Sequence, residues 1–242
     1  MVKHAAPEGE ESDPIRARSG LVRGRGLSKT YRRGAEQVHA LRAVDIDVHP
    51  GELVALAGPS GSGKSTLLNV LCGWETPESG SLAYSGALAG RDAIDLEWAQ
   101  LALVPQALGL LEDLTVEENI MMPARIVGKV KSERDRGHEL MDRFKIAHLG
   151  RRYPRQTSLG EQQRCCVARA MLLRPALMLA DEPTAHQDAA LGDVLFETMR
   201  DHARAGGGFL IATHNPDTWG HCDRVLSMHD GQLREGAPDI VH

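Results

Sequence analysis

The sequence predicts an α/β fold built on a largely parallel sheet, with ligand at the carboxyl ends of its strands. Three observations carry this. Short apolar runs at 53–57, 101–104, 177–180 and 209–212 alternate with segments of helical spacing. A glycine-rich loop, Gly58-Pro59-Ser60-Gly61-Ser62-Gly63-Lys64-Ser65-Thr66, follows the first run. An acidic pair, Asp181-Glu182, closes the third.

Each element follows from local sequence. Residues 1–20 are charged and hold Pro7, Gly9, Pro14 and Gly20, which predicts a disordered tail. Segment 21–31 reads as a strand weakened by Gly24 and Gly26. Segment 38–48 alternates, with Val38, Leu41, Val44, Ile46 and Val48 apolar, and makes a second, antiparallel strand. Pro50-Gly51 turns the chain into the strand before the loop. After the loop, 67–72 continues as a helix with Gly73 as its cap. A turn at 77–80 leads to a strand at 81–85, and Pro105-Gln106 closes the strand at 101–104.

From 107 to about 149 strand character is lost, and 117–127 and 132–144 show helical spacing. Leu108, Leu110, Leu111, Leu114, Met121 and Met122 form either the core of this helical insertion or, where exposed, a docking patch. A helix over 161–173 is stopped by Pro175, and one over 188–204 by Gly206-Gly207-Gly208. A hairpin around Asp230-Gly231 ends the chain. The expected division is a core of 21–86 and 167–242, with a helical subdomain at about 87–166.

Composition excludes several classes. Twenty-eight Lys and Arg against 33 Asp and Glu leave a net charge of −5, so no strong positive field is available to nucleic acid. Aromatics at 4% are too sparse for single-strand stacking platforms. The richest apolar stretch, 171–180, is broken by Arg174 and Pro175 and is too short to span a membrane. The acidic N-terminal residues do not make a secretory signal. Cys72, Cys165, Cys166 and Cys222 lack zinc or Cys-x-x-Cys spacing and read as buried, reduced side chains of a soluble, cytosolic chain.

The loop fits Gly-x-x-x-x-Gly-Lys-Ser/Thr in its required context of strand, turn and helix start. Its glycines let backbone N–H groups converge on phosphate, and the helix N-terminus adds partial positive charge. Lys64 supplies a full charge for the outer phosphates, and Ser65 a hydroxyl where Mg²⁺ would sit. A carboxylate at the end of a neighbouring strand, Asp181, suits hydrated Mg²⁺, and Glu182 suits a general base for water. Tyr31 reads either as a strand-end core residue or as a base-stacking aromatic.

With these motifs in place, the chain from Leu21 onward resembles the nucleotide-binding subunit of an ABC transporter. The resemblance implies a P-loop NTPase (RecA-like) core with an antiparallel β subdomain and a helical insertion. It implies Tyr31 as the adenine-stacking aromatic, residues 58–66 as Walker A, and Gln106 as the Q-loop residue that reaches Mg²⁺. It places the signature at Ser158-Leu159-Gly160-Glu161-Gln162-Gln163-Arg164. It makes 177–182 Walker B with catalytic Glu182, 185–188 the D-loop, and His214 the switch histidine. It further implies a homodimer or heterodimer, head to tail, in which Ser158, Gly160 and Glu161 face the partner's ATP. A transmembrane permease partner, a place on the cytoplasmic face of the cell membrane and no nucleic-acid partner follow.

The finer resemblance is to the macrolide-exporter and lipoprotein-release group, through Thr30-Tyr31 with Gly34, Val38-His39-Ala40-Leu41, 58–68 and 114–120. A regulatory ATPase of the cell-division type, or a soluble ABC ATPase of DNA repair or translation, is the alternative class. Two departures stand out. Leu159 replaces a glycine of the usual signature, and His186-Gln187 replace a small residue and a leucine in the D-loop. A weakened signature donated to the partner subunit is the expected consequence of the first.

Overall fold

The computed structural model describes residues 20–34 and 36–238, so of the expected 1–20 tail only Gly20 is described. Strand β1 (Val22–Arg33) pairs antiparallel with β2 (Glu36–Val48), with Val22 opposite Val48 and Tyr31 opposite Val38. Gly24 and Gly26 do not break β1, because register shifts between Gly24 and Leu27 absorb them. Strand β3 (Leu53–Ala57) leaves for a second sheet, and β4 (Ser79–Tyr84) returns to pair with β1. The first sheet therefore has the order β2-β1-β4.

Asp47 ties this pair at its exposed side. Its carboxylate accepts Arg23 Nε at 2.9 Å and Arg25 Nη2 at 2.8 Å. Burial works against its ionisation, but the two guanidinium groups outweigh burial and hold its pKa below the usual aspartate value. A lowered folded-state pKa adds stability above the unfolded value, and that stability is lost as pH falls through the folded one. Asp47→Asn is therefore expected to cost about 0.5–1 kcal/mol at pH 7 and less near pH 3, since such exposed pairs contribute little and the contribution fades as the carboxylate protonates. Urea unfolding at the two pH values checks this; an equal cost at both would contradict it.

The second sheet collects β3 with β5 (Leu101–Val104), β6 (Leu177–Asp181), β7 (Gly208–Thr213), β8 (Arg224–His229) and β9 (Gln232–Glu235). Its order is β5-β6-β7-β3-β8-β9. The first five are parallel and β9 returns antiparallel through Asp230 and Gly231, at φ 46° and 76°. Residues in β3, β6 and β7 are buried throughout, which is why these strands read as unbroken apolar runs. The order fixes the site: β5, β6, β7 and β3 are neighbours, so the segments leaving their carboxyl ends meet at one edge.

Helix α1 (Lys64–Leu71) lies after β3, and Gly73, at φ 78°, follows its end. Helices α2 (Val116–Ile126) and α3 (Val130–Arg143) form the insertion, and α4 (Leu159–Met171) packs against both. Helices α5 (Ala189–Arg204) and α6 (Pro216–Trp219) complete the chain. One core joins α2, α3, α4 and α5 to one sheet face; the other joins α1 and the first sheet to the opposite face.

The apolar stretch at 108–122 is mostly insertion core. Leu108 and Leu110 pack against that core and Met121 is buried, while Leu111 is exposed. The buried Asn119 amide binds this loop by donating to Leu111 O and Leu114 O. All four cysteines are free; Cys72, Cys165 and Cys166 are buried and Cys222 is half-buried. Adjacent Cys165 and Cys166 are both buried because α4 is covered on every side beyond its first turn.

Candidate active site

The glycine-rich loop is shaped by close backbone approaches. A Cβ on Gly58 would sit 2.2 Å from Met228 O, and one on Gly63 would sit 2.2 Å from Ala40 O. Both residues have positive φ, at 153° and 108°. Helix α1 begins at Lys64, inside the motif, with left-handed Gly63 as its cap and no side-chain cap. The motif thus contains the helix N-terminus, where amide groups and dipole favour an anion. Lys64 Nζ donates to Gly58 O at 2.7 Å and Pro59 O at 2.9 Å. Burial lowers the Lys64 pKa, and the charges of Glu182 and Asp181 work against that. Ser62, within the loop, is buried, its N–H donating to Pro59 O.

Ser65 Oγ donates to Asp181 Oδ2 at 2.5 Å. Burial raises the Asp181 pKa, the Ser65 bond opposes this, and the Glu182 charge adds to it. Asp181 ends β6, and the chain then bends through Glu182 at φ 52°. That left-handed bend aims the Glu182 carboxylate at the end of β7. Its Oε1 accepts the His214 backbone N–H at 3.0 Å and lies 2.5 Å from His214 Nδ1. Its Oε2 accepts from Thr213 Oγ1 at 3.1 Å.

Tyr31 stands at the far end of the same cleft. Its hydroxyl donates to the Glu75 carboxylate, which also accepts Asn69 Nδ2 at 3.2 Å. Burial and then the Glu75 contact push the Tyr31 pKa up. The ring is partly exposed, with Val38 opposite it on β2.

A cleft of about 490 Å³ gathers Tyr31, Ser60, Gly61, Gly63, Lys64, Ser65, Thr66, Gln106, Asp181, Glu182 and His214. Val38 and Ala40 also line it. Sequence reasoning missed these two as site residues, together with Glu75, Thr213 and Gln163; the alternation of 38–48 was the available signal for Val38. Ser65, Asp181 and Gln106 offer hard oxygen atoms in one place, the donor set Mg²⁺ takes alongside phosphate and water. Among the described residues no cluster of three or more His, Cys, Asp or Glu is placed to hold a metal.

Ser158, Gly160 and Glu161 do not line this cleft. They form the first turn of α4, which starts two residues before the expected 161 because Ser158 and Glu161 make a reciprocal cap. Ser158 Oγ accepts the Glu161 N–H at 3.3 Å, and the Glu161 carboxylate accepts the Ser158 N–H at 2.7 Å. The expectation that Ser158 and Gly160 precede the helix is corrected: Ser158 caps it and Gly160 is inside it. Leu159 has no positive φ, so its position requires no glycine, and its side chain is 50% exposed.

The ABC transporter family pattern matches residues 41–185. The chain belongs to the ABC transporter family. This ABC ATPase is 39% identical over 228 residues to the lipoprotein-releasing system ATP-binding protein LolD 2 of Caulobacter vibrioides, covering 92% of the chain and 97% of that protein. It is 40% identical over 215 residues to LolD of Zymomonas mobilis, covering 86% and 93%. Its fold matches a dimeric ATP-binding cassette in a post-hydrolysis state bound to ADP and Pi, with TM-score 0.79 and 28% identity over 90% of the chain and 98% of that structure. It is therefore an ATP-binding subunit of the ABC transporter type, with the ATPase activity of that family. Among the described residues no helix is long and apolar enough to cross a membrane.

Proposed function

We propose that this ABC ATPase drives a permease for export or for mechanical release of an envelope substrate, acting from the cytoplasmic face of the membrane. The relatives named for lipoprotein release support that direction. The carrying observation is the meeting of Lys64, Asp181, Glu182 and His214 at one edge of four adjacent parallel strands. In this reading Tyr31 stacks on adenine, residues 58–66 wrap the phosphates, and Lys64 leaves its loop carbonyls for the outer phosphates. Ser65, Asp181 and Gln106 hold Mg²⁺, which offsets phosphate charge when bound. Glu182 takes the proton of the attacking water, and His214 orients the carboxylate. Ser158, Gly160 and Glu161 serve the ATP of the partner subunit in a homodimer or heterodimer.

The expected helical part at about 87–166 is narrower than that, since β5 within it belongs to the main sheet; the insertion that follows β5, with α2 and α3, gives the permease its contact. A groove of about 300 Å³ includes Trp74, Ile94, Trp98, Pro105 and Met122, with Trp74 and Ile94 strongly exposed. Pro105 precedes Gln106 of the nucleotide cleft, so a partner seated in the groove is one residue from the phosphate site. Copurification from membranes with a permease, followed by ATP-dependent transport or release in sealed vesicles, tests the assignment. ATP hydrolysis by that complex without movement of any substrate would instead support a regulatory role.

Leu159 acts here through bulk, not backbone strain. Its exposed isobutyl group stands beside the Ser158 cap, where it would crowd the partner's phosphates and loosen, without abolishing, their seating against α4. Leu159→Gly is expected to raise turnover about tenfold, since small displacements of a reacting group carry large rate costs. Unchanged phosphate release and unchanged ATP-dependent dimer affinity would count against this.

A further inference from the structure

His186 and Gln187, the unusual D-loop pair, do not line the nucleotide cleft. They grip the start of α4 instead. Gln187 Nε2 donates to Gly160 O at 2.9 Å, and Gln187 Oε1 accepts from Arg164 Nη1 at 2.7 Å. His186 takes a left-handed backbone, φ 62°, and its carbonyl presses so close that a Cβ on Gly160 would sit 2.7 Å from it. A second tie lies on the same helix. The buried Gln163 donates from Nε2 to the backbone carbonyl of Glu182. The first turns of α4 are thus fastened to both ends of the 182–187 segment. A leucine at 187 would fill similar space and make neither side-chain bond.

We infer that Gln187 is a positioning residue that clamps the D-loop to the first turn of α4, so that this turn and Glu182 move as one body. The inference rests on the reading in which Glu182 serves this chain's ATP and the start of α4 serves the partner's. Under it, the clamp couples two ATP sites within each subunit: seating of one nucleotide against α4 sets the carboxylate at the other. Gln187 touches neither nucleotide; it acts through Gly160, Arg164 and, by way of Gln163, Glu182.

The test is steady-state ATPase of the full chain against ATP concentration, for wild type, Gln187→Leu and the near-isosteric Gln187→Glu, which keeps an acceptor for Arg164 but cannot donate to Gly160. Two coupled sites allow a Hill coefficient up to about 2. Wild type is expected to approach that value. Both variants are expected to fall toward 1, with kcat lowered about tenfold for a lost positioning bond. A variant that merely folds poorly lowers the active fraction, and so kcat, without moving the Hill coefficient. A wild-type coefficient near 1, or a coefficient unmoved in both variants, overturns the clamp while leaving the site assignment intact. A wild type without Mg²⁺-dependent hydrolysis removes the underlying site reading and the clamp with it.

Discussion

Glu182→Gln is expected to lower ATP turnover by about 10²–10⁴-fold, the usual contribution of a positioned general base. The substitution is close to isosteric. A glutamine carbonyl still accepts the His214 N–H, so the left-handed bend after β6 and the end of β7 keep their arrangement. What it loses is a proton acceptor for water. Binding steps ahead of chemistry remain, so the variant is expected to close on ATP and stay closed. Size-exclusion chromatography with ATP and Mg²⁺ should show a stable dimer, and a phosphate assay should show almost no release. Near-normal turnover would remove Glu182 from the base role and move attention to another acceptor near His214.

Lys64→Ala is expected to reduce turnover on the order of 10²–10³-fold, as loss of one electrostatic contact to developing charge does. Affinity is expected to fall as well, because in the proposed role the ammonium meets phosphate before reaction. The nucleotide-free fold should persist: among the described residues, Lys64 Nζ donates to carbonyls of its own loop, Gly58 O and Pro59 O. Thermal unfolding separates the two effects. Wild type should gain stability on adding ATP, by mass action on the folded state, and Lys64→Ala should gain little. An undiminished ATP-induced shift in the variant would mean that the phosphates rest elsewhere.

How far these roles can be read without coordinates depends on how local their causes are. Lys64 and the glycines around it were legible because loop, strand and helix start are contiguous in sequence. Asp181 was legible because a carboxylate closing a fully apolar strand is costly to place there unless it binds a cation or a donor. The parallel sheet was legible from alternation, but its order was not. That β7 lies between β6 and β3 is decided by packing across more than a hundred residues, and it is this order that brings His214 to Glu182.

The start of α4 shows a different limit. The Ser158 and Glu161 pairing is a local cap visible in the sequence, yet the helix was expected to begin at 161 because polar residues mask its first turn. Val38 reaches the site only through its register opposite Tyr31, and Glu75 only through its bond to the Tyr31 hydroxyl. Gln163 and Gln187 act through backbone carbonyls, Glu182 O and Gly160 O, whose positions no residue type announces. Contacts made to backbone across the fold were therefore the part hidden from sequence.

The most direct measurement is release of inorganic phosphate from ATP by the purified chain, with Mg²⁺ and with Mg²⁺ removed by chelation, alone and with its copurifying membrane protein. Release that requires Mg²⁺ and disappears in Glu182→Gln is the expected result. Absence of Mg²⁺-dependent release under both conditions would contradict the assignment of this cleft as an ATP-hydrolysing site.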